Sequence, residues 1–436
     1  MTFKKIGTYA LIGVGTRGAR VYAKYLQNHP DQGRLVAVAE PNDFRRSQIV
    51  AEHDIVPENV FNDWRQLLSI PKLADAIFIA STDRMHYEPV LLAADKRYHI
   101  LLEKPMAPTA NECIEIVHAV KRNKVMLAVC HVLRYAPFFK KIKDLIDSSV
   151  LGDICNIQHL EGVAHWHFAH SFVRGNFGNE SRSSFILLQK CCHDVDILRW
   201  WIGKKCLKVS SFGKLKHFCK ENKPANTPHR CMDCRLADDG CPYSAKKYYF
   251  KELKEKSFQW PLDMVIERPE PELLTKALRE GSYGRCVYGC DNDVMDSQII
   301  NMEFQDNITT FLTMCAFSPI GRRIRIMGSM GYLEGDEKII NVLDFRNDKW
   351  TEYDVNNLAV DMSGGHGGGD NAMICNFVEA INNNDASYIN TGPDVSLDSH
   401  LIVFAAEKSR LENRIVNLEE IYEHKCPEKG VSRYDY

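Results

Sequence analysis

Two side chains of this protein, Lys104 and His193, have the chemistry of a proton-transfer pair. An imidazole has an unperturbed pKa of about 6.5, so it can remove a proton from a hydroxyl group at neutral pH. An ammonium group can donate a hydrogen bond to an oxygen that gains negative charge during the reaction. We therefore predict that His193 is the acid/base of a catalytic site. Lys104 is predicted to orient the reacting group and to relay its proton.

A glycine-rich turn near the start of the chain predicts a site for a dinucleotide. An apolar run over residues 9–12 leads into a Gly-x-Gly-x-x-Gly motif at residues 13–18, and a helical pattern follows. Strand, turn and helix in this order are the context that the motif requires. The glycines allow a tight turn, a close approach of the backbone to a pyrophosphate, and close packing of helix on strand. The predicted cofactor contacts of this turn are Gly13, Gly15, Thr16, Arg17 and Gly18.

The next apolar run indicates which dinucleotide is bound. Residues 35–39 end at Glu40, whose carboxylate can accept hydrogen bonds from ribose hydroxyls and would repel a 2′-phosphate. We therefore predict NAD. Arg45 and Arg46 follow closely and can bind a phosphate, so NADP stays open as an alternative.

Apolar runs alternate with helical patterns throughout the first third of the chain. They cover residues 76–80, 99–102 and 125–129, which predicts an α/β fold with a parallel sheet covered by helices on both faces. Ligands bind beyond the carboxyl ends of such strands. The further cofactor contacts predicted at these ends are Ser81, His86, Glu103 and Lys104.

These segments resemble the family of glucose–fructose oxidoreductase, inositol dehydrogenase and MocA (Gfo/Idh/MocA), over nearly the whole chain. The resemblance rests on residues 13–18, 103–105, 134–137, 192–196 and 405–410. It implies a doubly wound Rossmann domain in residues 1–132 that binds NAD(P). For residues 133–436 it implies an α+β domain with an open, mostly antiparallel sheet for substrate binding and oligomerisation, as a homodimer or homotetramer. It also implies a sugar, polyol or sugar derivative as the substrate.

The second catalytic segment departs from the family pattern at one position. That pattern usually has an aspartate where this chain has Gln189, four residues before the acid/base histidine, and an amide cannot take up a proton as a carboxylate does. Asp194 or Asp196 can orient His193 instead. The resemblance and this segment predict three substrate contacts, which are Arg134, Gln189 and Lys190.

Residues 164–176 contain three histidines, a tryptophan and an arginine. Imidazoles suit a metal such as zinc. We favour a carbohydrate platform, in which an aromatic ring stacks on the sugar while polar side chains bind its hydroxyls. A polar loop with packed aromatics is the simpler alternative. The predicted substrate contacts are His167, His170 and Arg174, and Arg174 suggests an anionic or carbonyl-bearing substrate. A glycine-rich run at residues 363–369 adds His366 as a further contact.

Four cysteines mark an insert at about residues 217–245. Their spacing, Cys-x11-Cys-x2-Cys-x6-Cys, predicts a structural zinc site made by Cys231, Cys234 and Cys241 with Cys219 as the fourth ligand. His217 or His229 can replace Cys219. An iron–sulfur cluster and free thiols are the alternatives.

The composition excludes several classes of protein. The chain has 436 residues, which suits two domains, and its net charge of −2 leaves no basic surface for nucleic acid. No apolar run reaches the ~18–20 residues that span a bilayer. Fifteen cysteines without an evident signal peptide favour reduced thiols and a cytoplasmic location. Charged and apolar residues alternate over residues 322–328, as in a strand. The charged side chains of this segment are predicted to face solvent or a partner subunit.

The reaction that best fits these features is hydride transfer between a secondary hydroxyl and a nicotinamide. The alternative is an NAD-dependent glycoside hydrolase, which oxidises its substrate transiently, eliminates the leaving group and recycles the cofactor. A cofactor-bound sensor without catalytic activity is a third possibility.

Overall fold

The computed structural model of this protein describes residues 6–255, 258–358 and 364–422. Within them, the first of two sheets is parallel throughout, in the order β3-β2-β1-β4-β5-β6. Its strands β1 to β6 are Gly7–Ile12, Gly33–Ala39, Val60–Phe61, Ala76–Ile79, His99–Leu102 and Leu127–Val129. The strand order reverses between β1 and β4, and a ligand crevice forms at such a point, beyond the carboxyl ends of the strands.

Helices cover both faces of this sheet. A π-helical turn, Gly18–Ala23, follows the glycine-rich turn and continues into the first helix. The helices α1 to α5 are Lys24–Asn28, Asp43–His53, Trp64–Ser69, Tyr87–Asp95 and Ala110–Arg122. Their boundaries have local causes. Thr109 and Glu112 form a capping box at the start of α5, and the Asn42 side chain accepts a hydrogen bond from Arg45 N–H at the start of α2.

The second sheet is open and mostly antiparallel, in the order β14-β13-β12-β11-β7-β10-β9-β8-β15. Only β7 and β10 pair in parallel among its described strands. The strands β7 to β15 are Ile154–Gly162, Cys206–Lys214, Ser297–Phe304, Thr309–Cys315, Gly321–Gly328, Gly331–Gly335, Ile339–Asp344, Lys349–Asp354 and Val416–Asn417. The two sheets confirm the predicted fold class.

The remaining helices pack beside or between the sheets. They are α6 Pro137–Asp147, α7 His165–Phe168, α8 Cys192–Ile202, α9 Ala245–Glu255, α10 Pro271–Glu280, α11 Gly369–Asn383, α12 Pro393–Glu412 and α13 Glu419–Tyr422. The long helix α12 contacts α5, α8 and β8, so it joins the two sheets. No helix among the described residues is both long and apolar enough to cross a membrane.

The insert between β8 and β9 covers residues 215–296 and is longer than the predicted 217–245. It has a small hydrophobic core of its own, which includes Cys231, Tyr249, Leu274 and Leu278. The cysteines marked only its first part. The helices α9 and α10 complete its core and hold the rest of the insert together.

Candidate active site

The glycine-rich turn has the geometry that a bound pyrophosphate requires. Gly13 has φ +89°, and a Cβ there would lie 2.7 Å from Ala80 O. A Cβ on Gly18 would lie 2.0 Å from Gly13 O, so only glycine allows this helix to approach the strand so closely. A Cβ on Gly15, in contrast, would meet no atom within 4 Å. The turn is therefore tightly packed on its protein side and open where the backbone would face a phosphate.

Glu40 lies at the end of β2, directly beside this turn. Its Oε2 accepts a hydrogen bond from Val14 N–H at 2.7 Å, and its Oε1 accepts one from Asn42 N–H at 2.9 Å. Arg46 donates to the Glu40 backbone oxygen at 2.6 Å and pairs with Asp43. The carboxylate is thus held where ribose hydroxyls are predicted, while Arg46 already has partners in the protein.

An ion cluster joins the glycine-rich turn to the end of β5 and the start of α11. Arg17 Nε lies 2.6 Å from Glu103 Oε1, and Arg17 Nη1 lies 2.8 Å from Asp370 Oδ2. Tyr22 also donates a hydrogen bond to Glu103. Burial raises the pKa of Glu103, but Arg17 and Tyr22 lower it more, so the net pKa is below its usual value. The side chains of Arg17 and Glu103 therefore position each other, and their contact with a cofactor stays a prediction.

Ser81 and His86 hold the loops after β4 and β5 together. The His86 ring is buried, with Nδ1 2.8 Å from Pro105 O and Nε2 3.0 Å from Ser81 O. Ser81 Oγ donates to Met85 O at 2.8 Å. The imidazole links the segment that contains Lys104 to the end of the neighbouring strand.

Lys104 reaches from the parallel sheet to the second half of the chain. Its Nζ donates to the backbone oxygen of Gln189 at 2.7 Å and lies 3.2 Å from Gln189 Oε1. Gln189 lies in a π-helical turn, Leu187–Cys191, that leads into α8. Its Nε2 points the other way, to Asp83 Oδ2 at 3.4 Å. The amide is therefore oriented, and it gives the lysine neutral oxygens as partners.

His193 lies in the first turn of α8, close to two other imidazoles. The ring centroids of His131 and His366 are 5.7 and 6.0 Å from that of His193. Burial lowers the pKa of His193 well below 6.5, and the positive charge of Lys104 lowers it further. His193 Nδ1 is buried without a hydrogen-bond partner among the described residues. The ring is therefore neutral at pH 7 and can accept a proton.

Neither of the two aspartates that follow His193 orients it. Asp194 Oδ1 lies 2.6 Å from Arg322 Nε and 2.8 Å from His159 Nε2. Asp196 forms a bidentate pair with Arg134, with both N–O distances 2.7 Å. The hypothesis that Asp194 or Asp196 replaces the missing aspartate is therefore wrong. The Arg134 guanidinium also donates to Asn390 O at 3.1 Å, so it is engaged under α8, and its contact with a substrate stays a prediction.

Lys190 is held by a buried carboxylate. Its Nζ lies 3.1 Å from Glu161 Oε1, and the other oxygen of Glu161 lies 2.9 Å from Arg322 Nη2. The prediction that the charges of residues 322–328 face solvent or a partner is wrong for Arg322, which is 8% exposed. Alternate residues of a strand face opposite sides. Arg322 therefore points to the helices, whereas Arg323 and Arg325 are exposed.

The three polar residues of the predicted carbohydrate platform have different surroundings. The His167 ring packs 4.9 Å from Trp260, and its pKa is lowered well below 6.5 by burial and then by the charge of Lys190. His170 Nδ1 lies 2.5 Å from Tyr249 OH of the insert. Arg174 donates to Tyr243 O at 2.7 Å and to Arg285 O at 2.8 Å. His167 thus faces the lysines, while His170 and Arg174 hold the insert in place.

His366 is brought next to His193 from far along the chain. Its Nδ1 lies 3.1 Å from Asp370 Oδ1, and Asp370 also pairs with Arg17. The structure therefore brings together Lys104, Gln189, Lys190, His193, His167 and His366. Their contact with a substrate stays a prediction.

One buried residue of this region was not found from the sequence. Asp83 Oδ2 accepts hydrogen bonds from Ser183 Oγ at 2.7 Å and Ser184 Oγ at 2.9 Å, and it also faces the Gln189 amide. Its place just after β4 was a usable signal, since ligands bind beyond such strand ends. The serines belong to a loop about 100 residues away, so their meeting with Asp83 had no sequence signal.

The structure does not support the predicted metal site. Within residues 6–255, 258–358 and 364–422, no group of three or more His, Cys, Asp or Glu side chains is placed to hold a metal ion. Cys231 points into the core of the insert, 3.4 Å from Arg174 Nη2, whereas Cys219 lies against Asn222. Cys234 and Cys241 are half-buried, and all four are free thiols.

The fold and the glycine-rich turn define a dinucleotide-binding protein with a second, open-sheet domain. Two family models match. The oxidoreductase family model for an NAD-binding Rossmann fold covers residues 8–131, and the model for the C-terminal alpha/beta domain of that family covers residues 143–418. The chain belongs to the Gfo/Idh/MocA oxidoreductase family, as the resemblance predicted.

Individual relatives are distant. The chain is 22% identical to the oxidoreductase YteT of Bacillus subtilis over 338 residues, 73% of this chain and 75% of that protein. It is 27% identical to a 2,7-anhydro-N-acetylneuraminate hydratase of Escherichia coli over 146 residues, 34% of this chain and 38% of that protein. The solved structure of scyllo-inositol dehydrogenase from Lactobacillus casei, with bound NAD(H) and scyllo-inositol, shares the fold. Its TM-score is 0.65 at 17% identity, and the match covers 95% of this chain and 100% of the other.

Proposed function

We propose that this protein is an NAD-dependent dehydrogenase that oxidises a secondary hydroxyl of a sugar, polyol or sugar derivative. One observation carries the proposal. Lys104, at the end of a parallel strand beside the crevice, and the neutral His193 of α8 face the same space from the two halves of the chain. A hydrogen-bond donor and a base are the two groups that oxidation of a carbinol requires.

The residues of the first sheet fit NAD. The open space at Gly15 accommodates a pyrophosphate, and the carboxylate of Glu40 can accept hydrogen bonds from the adenosine ribose. The nicotinamide supplies the hydride acceptor when it is bound. The negative charge of Glu40 favours NAD over NADP. Arg46 already donates to the Glu40 backbone oxygen and pairs with Asp43, so fewer of its donors are available to a 2′-phosphate.

His193 removes the hydroxyl proton in this mechanism. Its lowered pKa keeps it neutral at pH 7, so it is in the basic form before the reaction begins. The Lys104 ammonium donates a hydrogen bond to the substrate oxygen, in place of its present bond to the Gln189 amide, and stabilises the developing charge. Gln189 orients the lysine. The adjacent positive charge of Lys104 then favours release of the proton from His193.

The test uses a panel of sugars, polyols and glycosides with added NAD. Absorbance at 340 nm and the release of reducing sugar are followed in the same sample. We expect stoichiometric formation of NADH that continues only while NAD is supplied. A protein that binds neither NAD nor NADP would refute the proposal.

A second function has support of its own, namely cleavage by transient oxidation with recycling of the cofactor. One relative of this chain is named a hydratase, not a dehydrogenase. In addition, the insert reaches across to the glycine-rich turn, where Thr16 Oγ1 lies 3.6 Å from Met264 Sδ. Such a cover would slow the exchange of a bound dinucleotide. Release of sugar without net NADH in the same assay would establish this function and reject the dehydrogenase.

The open face of the second sheet supports a homo-oligomer. Phe212, Ile299 and Phe311 are exposed apolar side chains on this face, and polar residues such as Asn301 and Thr309 lie beside them. An exposed apolar face of this kind is typical of a protein–protein interface. We propose that two or four copies of the chain associate through it, and the molar mass in solution tests this directly.

A further inference from the structure

A segment of the insert, residues 258–264, lies across the crevice of the parallel sheet. On one side, Met264 contacts Thr16 of the glycine-rich turn, and Phe258 lies 5.9 Å from the Arg20 guanidinium. On the other side, Trp260 packs on His167 at 4.9 Å and on His170 at 5.6 Å. This segment, which we call the strap, therefore spans from the turn that would hold the dinucleotide to the predicted substrate platform.

Asp263, near the end of the strap, has a buried carboxylate that is incompletely hydrogen-bonded. Its side chain is 6% exposed, and neither oxygen makes a well-aligned hydrogen bond with a described residue. Its ionic neighbour is Arg20, whose Nε lies 3.1 Å from Oδ2 but is poorly aligned for a hydrogen bond. A buried carboxylate in this state is costly, so a ligand that donates hydrogen bonds would stabilise it.

The charges around Asp263 show where it lies relative to the first sheet. Burial raises the pKa of this carboxyl group, whereas the positive charges of Arg20 and Arg45 and the nearby backbone N–H groups of Asp263 and Met264 lower it in part. Arg20 belongs to the π-helical turn after the glycines, and Arg45 to the first turn of α2, just beyond Glu40. Asp263 is therefore placed between the glycine-rich turn and the end of β2. The adenosine ribose of a dinucleotide binds between these two elements.

We propose that the insert completes the cofactor site, and that Asp263 accepts a hydrogen bond from a hydroxyl of the adenosine ribose. The inference rests on the proposed binding of NAD and adds a ligand from outside the parallel sheet. With Glu40, Asp263 would place carboxylates on both sides of the ribose. Its charge would repel a 2′-phosphate, so the strap contributes to the choice of NAD over NADP.

The test measures dinucleotide affinity of the full-length protein without any substrate. The dissociation constants of NADH and NADPH are determined by fluorescence titration for the wild type, Asp263→Asn and Asp263→Ala. For Asp263→Ala we expect NADH to bind about 10-fold more weakly, the scale of one charge-assisted hydrogen bond. NADPH should bind equally well or more tightly. Asp263→Asn retains an acceptor oxygen and should lose less affinity for NADH.

Asp238→Asn is the matched control. Asp238 is an exposed, ion-paired aspartate of the same insert, bound to Lys246, so its loss should change neither constant. A structural role for Asp263 would weaken both dinucleotides equally and lower the melting temperature without ligand. That result, or unchanged affinities in Asp263→Ala, would overturn the inference while leaving the proposed function intact. If the wild type binds neither dinucleotide, both fail together.

Discussion

The lysines and the arginines around the crevice are held in different ways. Lys104 and Lys190 each reach one residue through a single, flexible ammonium group. Arg134, Arg174 and Arg322 are buried, and each guanidinium binds several fixed acceptors at once. A planar guanidinium suits such rigid, multiple contacts, whereas an ammonium on a flexible stem can change partners. The arginines therefore build the site, and the lysines are the cations that remain available to a substrate.

The arginines bind partners that lie far from them in the sequence, which supports a structural role for the arginines. Arg134 binds Asp196, and Arg322 binds Asp194, so two arginines from different elements fix the same helix, α8. Arg174 ties the insert to the segment after α7. These pairs set where His193 and the strap lie. Substitution of a buried arginine should therefore lower stability first, whereas substitution of a lysine should lower activity first.

Lys104→Met should have the largest effect, and it should be on catalysis. Loss of the hydrogen bond to the substrate oxygen and of the proton relay is expected to lower kcat by about 10²–10⁴-fold. The partners of Lys104 are neutral and it is not fully buried, so the melting temperature should change little. Steady-state rates and thermal unfolding measure the two effects. Lys204→Met, at an exposed ion pair with Asp306, is the control, and equal losses in both variants would contradict the role of Lys104.

Arg134→Met should have the next largest effect, on stability. It leaves Asp196 buried and unpaired, which typically costs about 3–5 kcal/mol of the free energy of unfolding. Urea denaturation measures this loss. The double variant Arg134→Met with Asp196→Leu removes both charges and should recover part of it. If Arg134→Met were as stable as the wild type and only raised KM, Arg134 would be a substrate contact after all.

Buried imidazoles should make the fold sensitive to mild acid. Burial lowers the pKa of His131 to about 4 and those of His170 and His400 to about 3. In the unfolded chain these groups take up protons below a pH of about 6.5, but in the folded protein they stay neutral. The contribution of these imidazoles to the free energy of unfolding is fully present above a pH of about 6.5. It is lost as the pH falls towards their pKa values in the folded protein. Each should lower the free energy of unfolding by about 1.4 kcal/mol per pH unit in this window.

Urea unfolding at several values between pH 5 and 7.5 measures that slope. His131→Gln removes one of these buried imidazoles and should make the dependence shallower by about 1.4 kcal/mol per pH unit below a pH of about 6.5. A slope unchanged by this substitution would show that His131 is not neutral in the folded protein.

Lys190→Met should have the smallest effect of the four. If Lys190 binds the substrate in its ground state, KM should rise about 5-fold while kcat stays within about twofold. The measurement is the separation of kcat from KM for the best substrate of the panel. A loss of kcat as large as that of Lys104→Met would instead place Lys190 in the reaction itself.

Local patterns predicted the parts of the site whose partners are close in sequence. The turn of residues 13–18, the carboxylate at the end of the second strand and the lysine after β5 all lie in short motifs, and the structure places them at one edge of the sheet. Local patterns did not show which histidines and arginines bind other parts of the protein and which remain available to a ligand. Arg174 and His170 were predicted to contact the substrate, and the structure places their hydrogen-bond partners in the insert, 69 to 111 residues away.

The amino-acid sequence by itself determined the alternation of strands and helices, the glycine-rich turn, the family and the candidate catalytic residues. These follow from the spacing of apolar residues and from the conformations that individual residues allow. Only the tertiary structure decided which charged groups are free. The pairing of Arg322 with Asp194, the burial of His193 beside Lys104 and the position of Asp263 over the crevice all depend on elements far apart in the chain. From the sequence alone, a charged residue whose partner is distant in the chain cannot be distinguished from one that binds a ligand.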